Sequence, residues 1–167
     1  MSLTLQKNLE TGVAKIDKQH RDLISTINKL IEMSVKSLNK ETIKDTLDML
    51  GEYVIEHFND EETLQIVCNY PNYSEHKVQH DEFVRNFLRL KYDFNDFECH
   101  YSEFTLDLIE VVATWIVKHI KGSDVEMGKY CRNYLLNRYT HHKHHKHHHK
   151  HHSHNQHSQH NYNQHKH

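Results

Sequence analysis

Proline occurs once in these 167 residues and glycine four times, so the turn chemistry that an all-β fold needs at short intervals is missing. Nowhere do eighteen apolar residues follow one another, and the N-terminus MSLTLQKNLETGVAKID lacks the apolar run of a secretion signal. Cysteine is confined to Cys68, Cys99 and Cys131, an odd set without CxxC spacing, which indicates neither a disulfide framework nor a zinc ribbon. A basic excess is missing too: outside the last 27 residues there are 17 Lys and Arg against 23 Asp and Glu, which argues against a nucleic-acid surface. These absences predict a soluble, cytoplasmic, all-α protein with reduced thiols and no membrane or nucleic-acid partner.

What is present divides near Tyr139. Residues 1–140 hold nearly all the apolar side chains and read as one domain. Residues 141–167 have no acidic and no aliphatic residue but fourteen of the twenty histidines, so they cannot build a core. They are expected to be a disordered, His-rich, low-complexity tail. Closely spaced imidazoles on a flexible chain chelate zinc, nickel or copper, and mild acidification makes such a chain cationic.

Residues 1–15 read as an arm turning at Gly12. In the first helix Ile16, His20, Leu23, Ile24, Ile27, Leu30 and Ile31 recur at helical spacing, with Asp17, Lys18, Arg21, Asp22 and Lys29 on the polar side. After Asn39 a second stripe runs Ile43, Leu47, Leu50, Val54, His57, Phe58, Glu61. Tyr70-Pro71 breaks the chain, and Asn72 with Glu75 suggests a capping box for a third helix whose inner line is His76, His80, Phe83, Phe87, Leu90. A loop is expected around Asp93 to Asp96. The fourth stripe runs Phe104, Leu108, Val112, Trp115, His119, and Ser123 with Glu126 suggests a short final helix over 125–138. Four long helices with short loops predict an antiparallel up-down-up-down four-helix bundle with an N-terminal arm and a short C-terminal helix.

A single histidine on an apolar stripe is ordinarily a core imidazole bonded to a carbonyl. Here His20, His57, His76, His80 and His119 come from four helices and all fall on inward lines, with Glu61 on the line of His57. Burying a carboxylate without a cation costs several kcal/mol, roughly, and a shared metal centre satisfies all these groups together. His100, off these lines, reads as surface; Phe83, Leu108 and Trp115 read as core. Asp124 is five residues beyond His119, a rotation of about 500° in a regular helix that points it elsewhere. Gly122 between them permits a helix end or a wide turn that brings Asp124 back.

Five imidazoles and two carboxylates exceed the needs of one tetrahedral zinc and suit first-row ions such as iron or manganese better than magnesium or calcium. Seven ligands, two of them bridging, together with one solvent bridge leave two octahedral ions a single open position. A small molecule such as dioxygen fits that position in an apolar pocket. No general acid or substrate cleft is visible, which favours reversible binding over turnover.

The segments GVAKIDKQHRDL, HFNDEE, YPNYSEHKVQH and WIVKHIKGSD together resemble the hemerythrins, and more narrowly the single-domain bacterial hemerythrins, over about residues 5–138. The resemblance implies a non-haem di-iron site, Fe2+/Fe3+ with a bridging oxo or hydroxo group, that binds oxygen reversibly for storage, delivery or sensing. It implies His76, His80 and His119 on the saturated iron, His20 and His57 on the iron with the open position, and Glu61 and Asp124 bridging. Two positions depart from the pattern: Gln65 where many bacterial members have methionine, and Leu5 where tryptophan is common. Competing expectations are a di-iron enzyme consuming peroxide or nitric oxide, and a metal-handling protein that uses its tail.

Overall fold

The computed structural model describes residues 9–35, 40–96 and 101–155. Among the described residues five α-helices follow in chain order: α1 Ala14–Val35, α2 Lys40–Val67, α3 Tyr73–Asp96, α4 Tyr101–His119 and α5 Val125–Asn155, with a π-helical turn Ile120–Asp124 joining the last two. Helix α1 packs on α2, α2 on α3, α3 on α4, and α4 returns to α1, closing the four-helix bundle. Among the described residues no helix is long and apolar enough to cross a membrane.

The stripes explain the packing. Every member of the α2 stripe from Ile43 to Glu61 is buried. On α1, Ile16, His20, Leu23, Ile24, Ile27 and Leu30 are buried; on α3, His76, His80, Phe83, Phe87 and Phe94. Each fully buried aliphatic or aromatic side chain contributes about 1.5–3 kcal/mol through removal of apolar surface from water. Because neighbouring helices run antiparallel, the purely apolar stretches of all four gather at one end and the histidines at the other. The apolar end carries Leu30, Leu47, Phe94 and Ile109.

Chain breaks have local causes. Helix α2 ends with Asn69 in the left-handed region at φ 52°, and Tyr70 N–H bonds Gln65 O at 2.9 Å while Asn69 N–H bonds Ile66 O at 3.1 Å. This is the paired closure that satisfies the last carbonyls of a helix, and Pro71 prevents its continuation. The arm turns at Gly12, whose φ of 74° favours glycine, and folds back on α1.

Several expectations shift. Asp17, assigned to the polar side, is buried: its carboxylate accepts hydrogen bonds from Thr11 N–H at 2.7 Å, Thr11 Oγ1 at 2.8 Å and Gly12 N–H at 3.0 Å. The folded-back arm, invisible to helical periodicity, covers it. Helix α3 runs through Asp93 to Asp96 because Phe94, wholly buried, keeps that turn against the core. Ser123 lies within the π turn, and its hydroxyl donates to Gln79 Oε1 at 2.8 Å, so it does not cap α5. Helix α5 extends beyond 138 to Asn155, into the segment expected to be irregular; after Gly128 no Gly or Pro interrupts the backbone. Leu5, Cys99, His100 and residues 156–167 lie outside the described residues. The described residues divide into two units, one ending at Cys131 and the other beginning at Arg132.

Candidate metal centre

The seven candidate ligands of the sequence meet within the first unit. Helix α1 supplies His20, α2 supplies His57 and Glu61 one turn apart, α3 supplies His76 and His80 one turn apart, α4 ends on His119, and the π turn ends on Asp124. None is more than 5% exposed.

Asp124 reaches the others because of the π turn. The Val125 N–H bonds back to Ile120 O, five residues earlier, so the backbone is wound more widely here than in an α-helix. Residues five apart then share a face, and Asp124 Oδ1 lies 3.0 Å from His119 Nε2. Of the two devices expected of Gly122, the wide turn is the one found; Gly122 is not at positive φ.

Two donor groups form, and both carboxylates belong to each: Glu61, His76, His80, His119, Asp124 and His20, His57, Glu61, Asp124. In the first, the three Nε2 atoms stand 3.1, 3.0 and 3.2 Å apart. Donors about 2.1 Å from a common ion and about 90° apart would be separated by about 3.0 Å, so the triangle suits an octahedral face. The carboxylates are shared atom by atom. Glu61 Oε2 lies 3.4 Å from His76 and 3.3 Å from His80, while Oε1 lies 3.7 Å from His20 and 3.8 Å from His57. Asp124 Oδ1 faces His76 and His119 at 3.3 and 3.0 Å, and Oδ2 faces His20 at 3.1 Å.

All four carboxylate oxygens and both ring nitrogens of His20 are buried without a hydrogen-bond partner. Leaving such groups unpaired is costly, and cations of first-row type satisfy them, so the donor set fits a two-metal centre. Without metal the cluster neutralises itself by protons. Burial pushes the His20 and His76 imidazoles down, but Asp124 and Glu61 beside them outweigh it and raise both to about 9. Burial likewise pushes Glu61 and Asp124 up, yet the surrounding imidazoles hold both well below the usual carboxylate range. Burial keeps His57 below its ordinary value.

Three residues that the sequence reading overlooked orient the rings. The Nδ1 of His57 is 3.3 Å from Gln19 Oε1, that of His80 is 3.1 Å from Glu62 Oε1, and that of His119 is 3.0 Å from Gln79 Oε1. An acceptor at Nδ1 fixes the proton there and turns the Nε2 lone pair inward. A signal existed: Gln19, Glu62 and Gln79 are each the chain neighbour of a candidate ligand. Stacking adds to the restraint, with Phe58 on His80 at 3.7 Å and Trp115 on His119 at 4.4 Å between ring centroids. Gln65, one turn beyond Glu61, is fully buried with both amide atoms unpartnered, so it does not face solvent.

Against this cluster lies a cavity of about 10 Å³, walled by Leu23, Val54, Phe58, Trp115, Ile116 and Ile120 with His57, His119 and Asp124 at its polar edge. It is about the size that admits one water-sized molecule.

The Hemerythrin HHE cation binding domain model matches residues 11–131. The chain is 32% identical over 114 residues to the bacteriohemerythrin of Methylococcus capsulatus, covering 68% of this chain and 84% of that one. It is 32% identical over 115 residues to a hemerythrin-like protein of Naegleria gruberi, covering 69% and 82%. A crystal structure of wild-type hemerythrin superposes with a TM-score of 0.69 at 28% identity, covering 78% of this chain and 98% of that chain. Sequence match and bundle architecture agree over the segment that carries the histidine and carboxylate cluster, and this chain belongs to the hemerythrin family.

Proposed function

We propose that the bundle holds two non-haem iron ions and binds dioxygen reversibly, as a store, carrier or sensor. The observation that carries this reading is the atom-by-atom sharing of Glu61 and Asp124 between a three-histidine and a two-histidine group. His76, His80 and His119 would hold one iron, His20 and His57 the other, and the two carboxylates would bridge them. Bound there, an iron pair would supply reversible two-electron redox chemistry toward a diatomic ligand.

The chain's own part is to orient, to exclude water and to limit size. Gln19, Glu62 and Gln79 fix the imidazoles. The apolar walls keep out bulk water, and a cavity of about 10 Å³ admits a diatomic molecule but no organic substrate. Its walls carry no titratable group besides His57, His119 and Asp124, so no separate proton donor stands ready for turnover. The buried free thiols of Cys68 and Cys131 suit a reducing compartment, and we read the protein as cytoplasmic.

Protein purified without oxygen and loaded with ferrous iron is expected to carry about two irons per chain. A visible absorption band should appear on exposure to oxygen and fade when oxygen is removed. Irreversible oxidation on first exposure would overturn reversible binding. Catalytic consumption of peroxide or nitric oxide by the loaded protein would establish the enzyme alternative.

A further inference from the structure

Hollows of different character border the ligand histidines among the described residues. The cavity beside His57 and His119 is walled by apolar side chains and holds about 10 Å³. A wider hollow of about 460 Å³ reaches His119 past Trp115 and carries the exposed Lys118. A cleft of about 110 Å³ reaches His76 between α3 and the start of α5, and the exposed Glu75 and Glu126 stand in its wall. Asn72 Nδ2 donates to Glu126 Oε1 at 3.4 Å, which holds that carboxylate at the cleft. An incoming cation is repelled by the lysine and finds no solvation in the apolar cavity, whereas the cleft offers it two carboxylates.

His76 supplies an independent sign that the cleft takes a ligand. It is 2% exposed, and its Nε2 faces Glu61 and Asp124 at 3.4 and 3.3 Å, so the side of the ring that borders the cleft carries Nδ1. That nitrogen has no hydrogen-bond partner. The Nδ1 atoms of His57, His80 and His119 each meet an acceptor that restrains their rings. The His76 ring, untied at its outer edge, turns without breaking a hydrogen bond, and a ring nitrogen behind two carboxylates is a donor set for a first-row divalent ion.

We propose that this cleft is the entry site of the metal centre, where Glu75 and Glu126 first hold a hydrated divalent ion such as Fe2+ and His76 passes it inward; the proposal rests on the two-metal reading above. The carboxylates raise the local concentration of the cation and speed its capture, an effect that salt screens. The His76 ring takes the ion from the cleft side and, by turning, presents it to Glu61 and Asp124. Glu75 and Glu126 act on the rate of loading and not on the finished centre, whose ligands do not include them.

Loading of the full, chelator-treated chain with Co2+ tests this without oxygen chemistry. Aliquots quenched with EDTA at successive times and desalted report the Co2+ that has reached the buried centre, because ions on exposed side chains are stripped at once. Every variant is expected to finish with about two Co2+ per chain. Glu75→Gln with Glu126→Gln should slow loading roughly tenfold at low salt. Glu52→Gln with Glu110→Gln, which neutralises two exposed acids away from the cleft, should keep the parent rate, and so should Lys118→Gln. About 0.5 M salt should slow the parent far more than the cleft variant. An unchanged rate in the cleft variant, equal slowing in both double variants, a parent rate indifferent to salt, or faster loading in Lys118→Gln would each overturn the entry site. A parent that retains no Co2+ would overturn the two-metal reading and the entry site with it, whereas a parent that fills normally but shows the wrong pattern of rates overturns the entry site alone.

Discussion

Gln65 is the residue whose environment and chemistry agree least. It lies on the buried line of α2 after His57 and Glu61, yet its amide nitrogen and oxygen both lack partners. A buried amide without a hydrogen bond costs about 1–3 kcal/mol relative to a satisfied one. Methionine has similar length, is unbranched and carries no donor needing a partner. Gln65→Met is therefore expected to raise stability by about 1–3 kcal/mol in chemical denaturation of the metal-free protein. A loss of stability would show that the amide is paired in solution. The sequence marked Gln65 as a departure but left its direction open, since Gln65 follows Glu61 by the same four residues that separate Glu61 from His57, while its burial depends on what else packs there. Asp17 failed in the opposite sense: periodicity assigned it to water, and the returning arm at Thr11 and Gly12 claimed its carboxylate.

At the scale of the elements, stripe and spacing were legible wherever a helix is regular. The α2 stripe from Ile43 to Glu61 is buried member for member, because a 3.6-residue period projects directly onto a packed face. Departures from α geometry were not legible in that way. The π turn was inferred only as a need of Asp124, since no pattern of side chains announces a backbone bond to the fifth residue back. Two glycines near it invite the same substitution with opposite outcomes. At Gly122 an added Cβ meets nothing within 4 Å, and the residue is not at positive φ, so Gly122→Ala should be neutral or stabilising by up to about 1 kcal/mol. At Gly128, where α5 passes the arm, a Cβ would lie 2.6 Å from both Thr11 Cβ and Thr11 O. Backbone cannot yield as a side-chain tip does, and Gly128→Ala is expected to cost about 1–3 kcal/mol by thermal or chemical melting. Equal effects at the two sites would contradict the close approach of arm and helix.

For the bundle as a whole, the apolar end supplies stability and the polar end supplies the site, so the site is paid for by packing elsewhere. Without metal, the polar end depends on protons, and its pH dependence follows from the imidazoles. His20 and His76 are raised to about 9 in the fold, against an ordinary 6.5 in the unfolded chain. Their contribution to stability is therefore fully present below pH 6.5 and is lost as pH rises from 6.5 through about 9. His57 is shifted the other way, held neutral by burial, so acidification below its ordinary range costs stability through that residue. The two slopes meet near the unperturbed histidine value, and chelator-treated protein should be most stable there. Its melting temperature should fall by several degrees between about pH 6.5 and 9. Iron-loaded protein should lose that alkaline slope, because ions replace the protons on His20 and His76 and ligation requires the neutral ring. Parallel thermal melts of the two forms across this range decide the matter. A flat or rising alkaline limb in the metal-free form would mean that Glu61 and Asp124 are neutralised by some other group, and that the cluster is not the cation-seeking assembly its geometry describes.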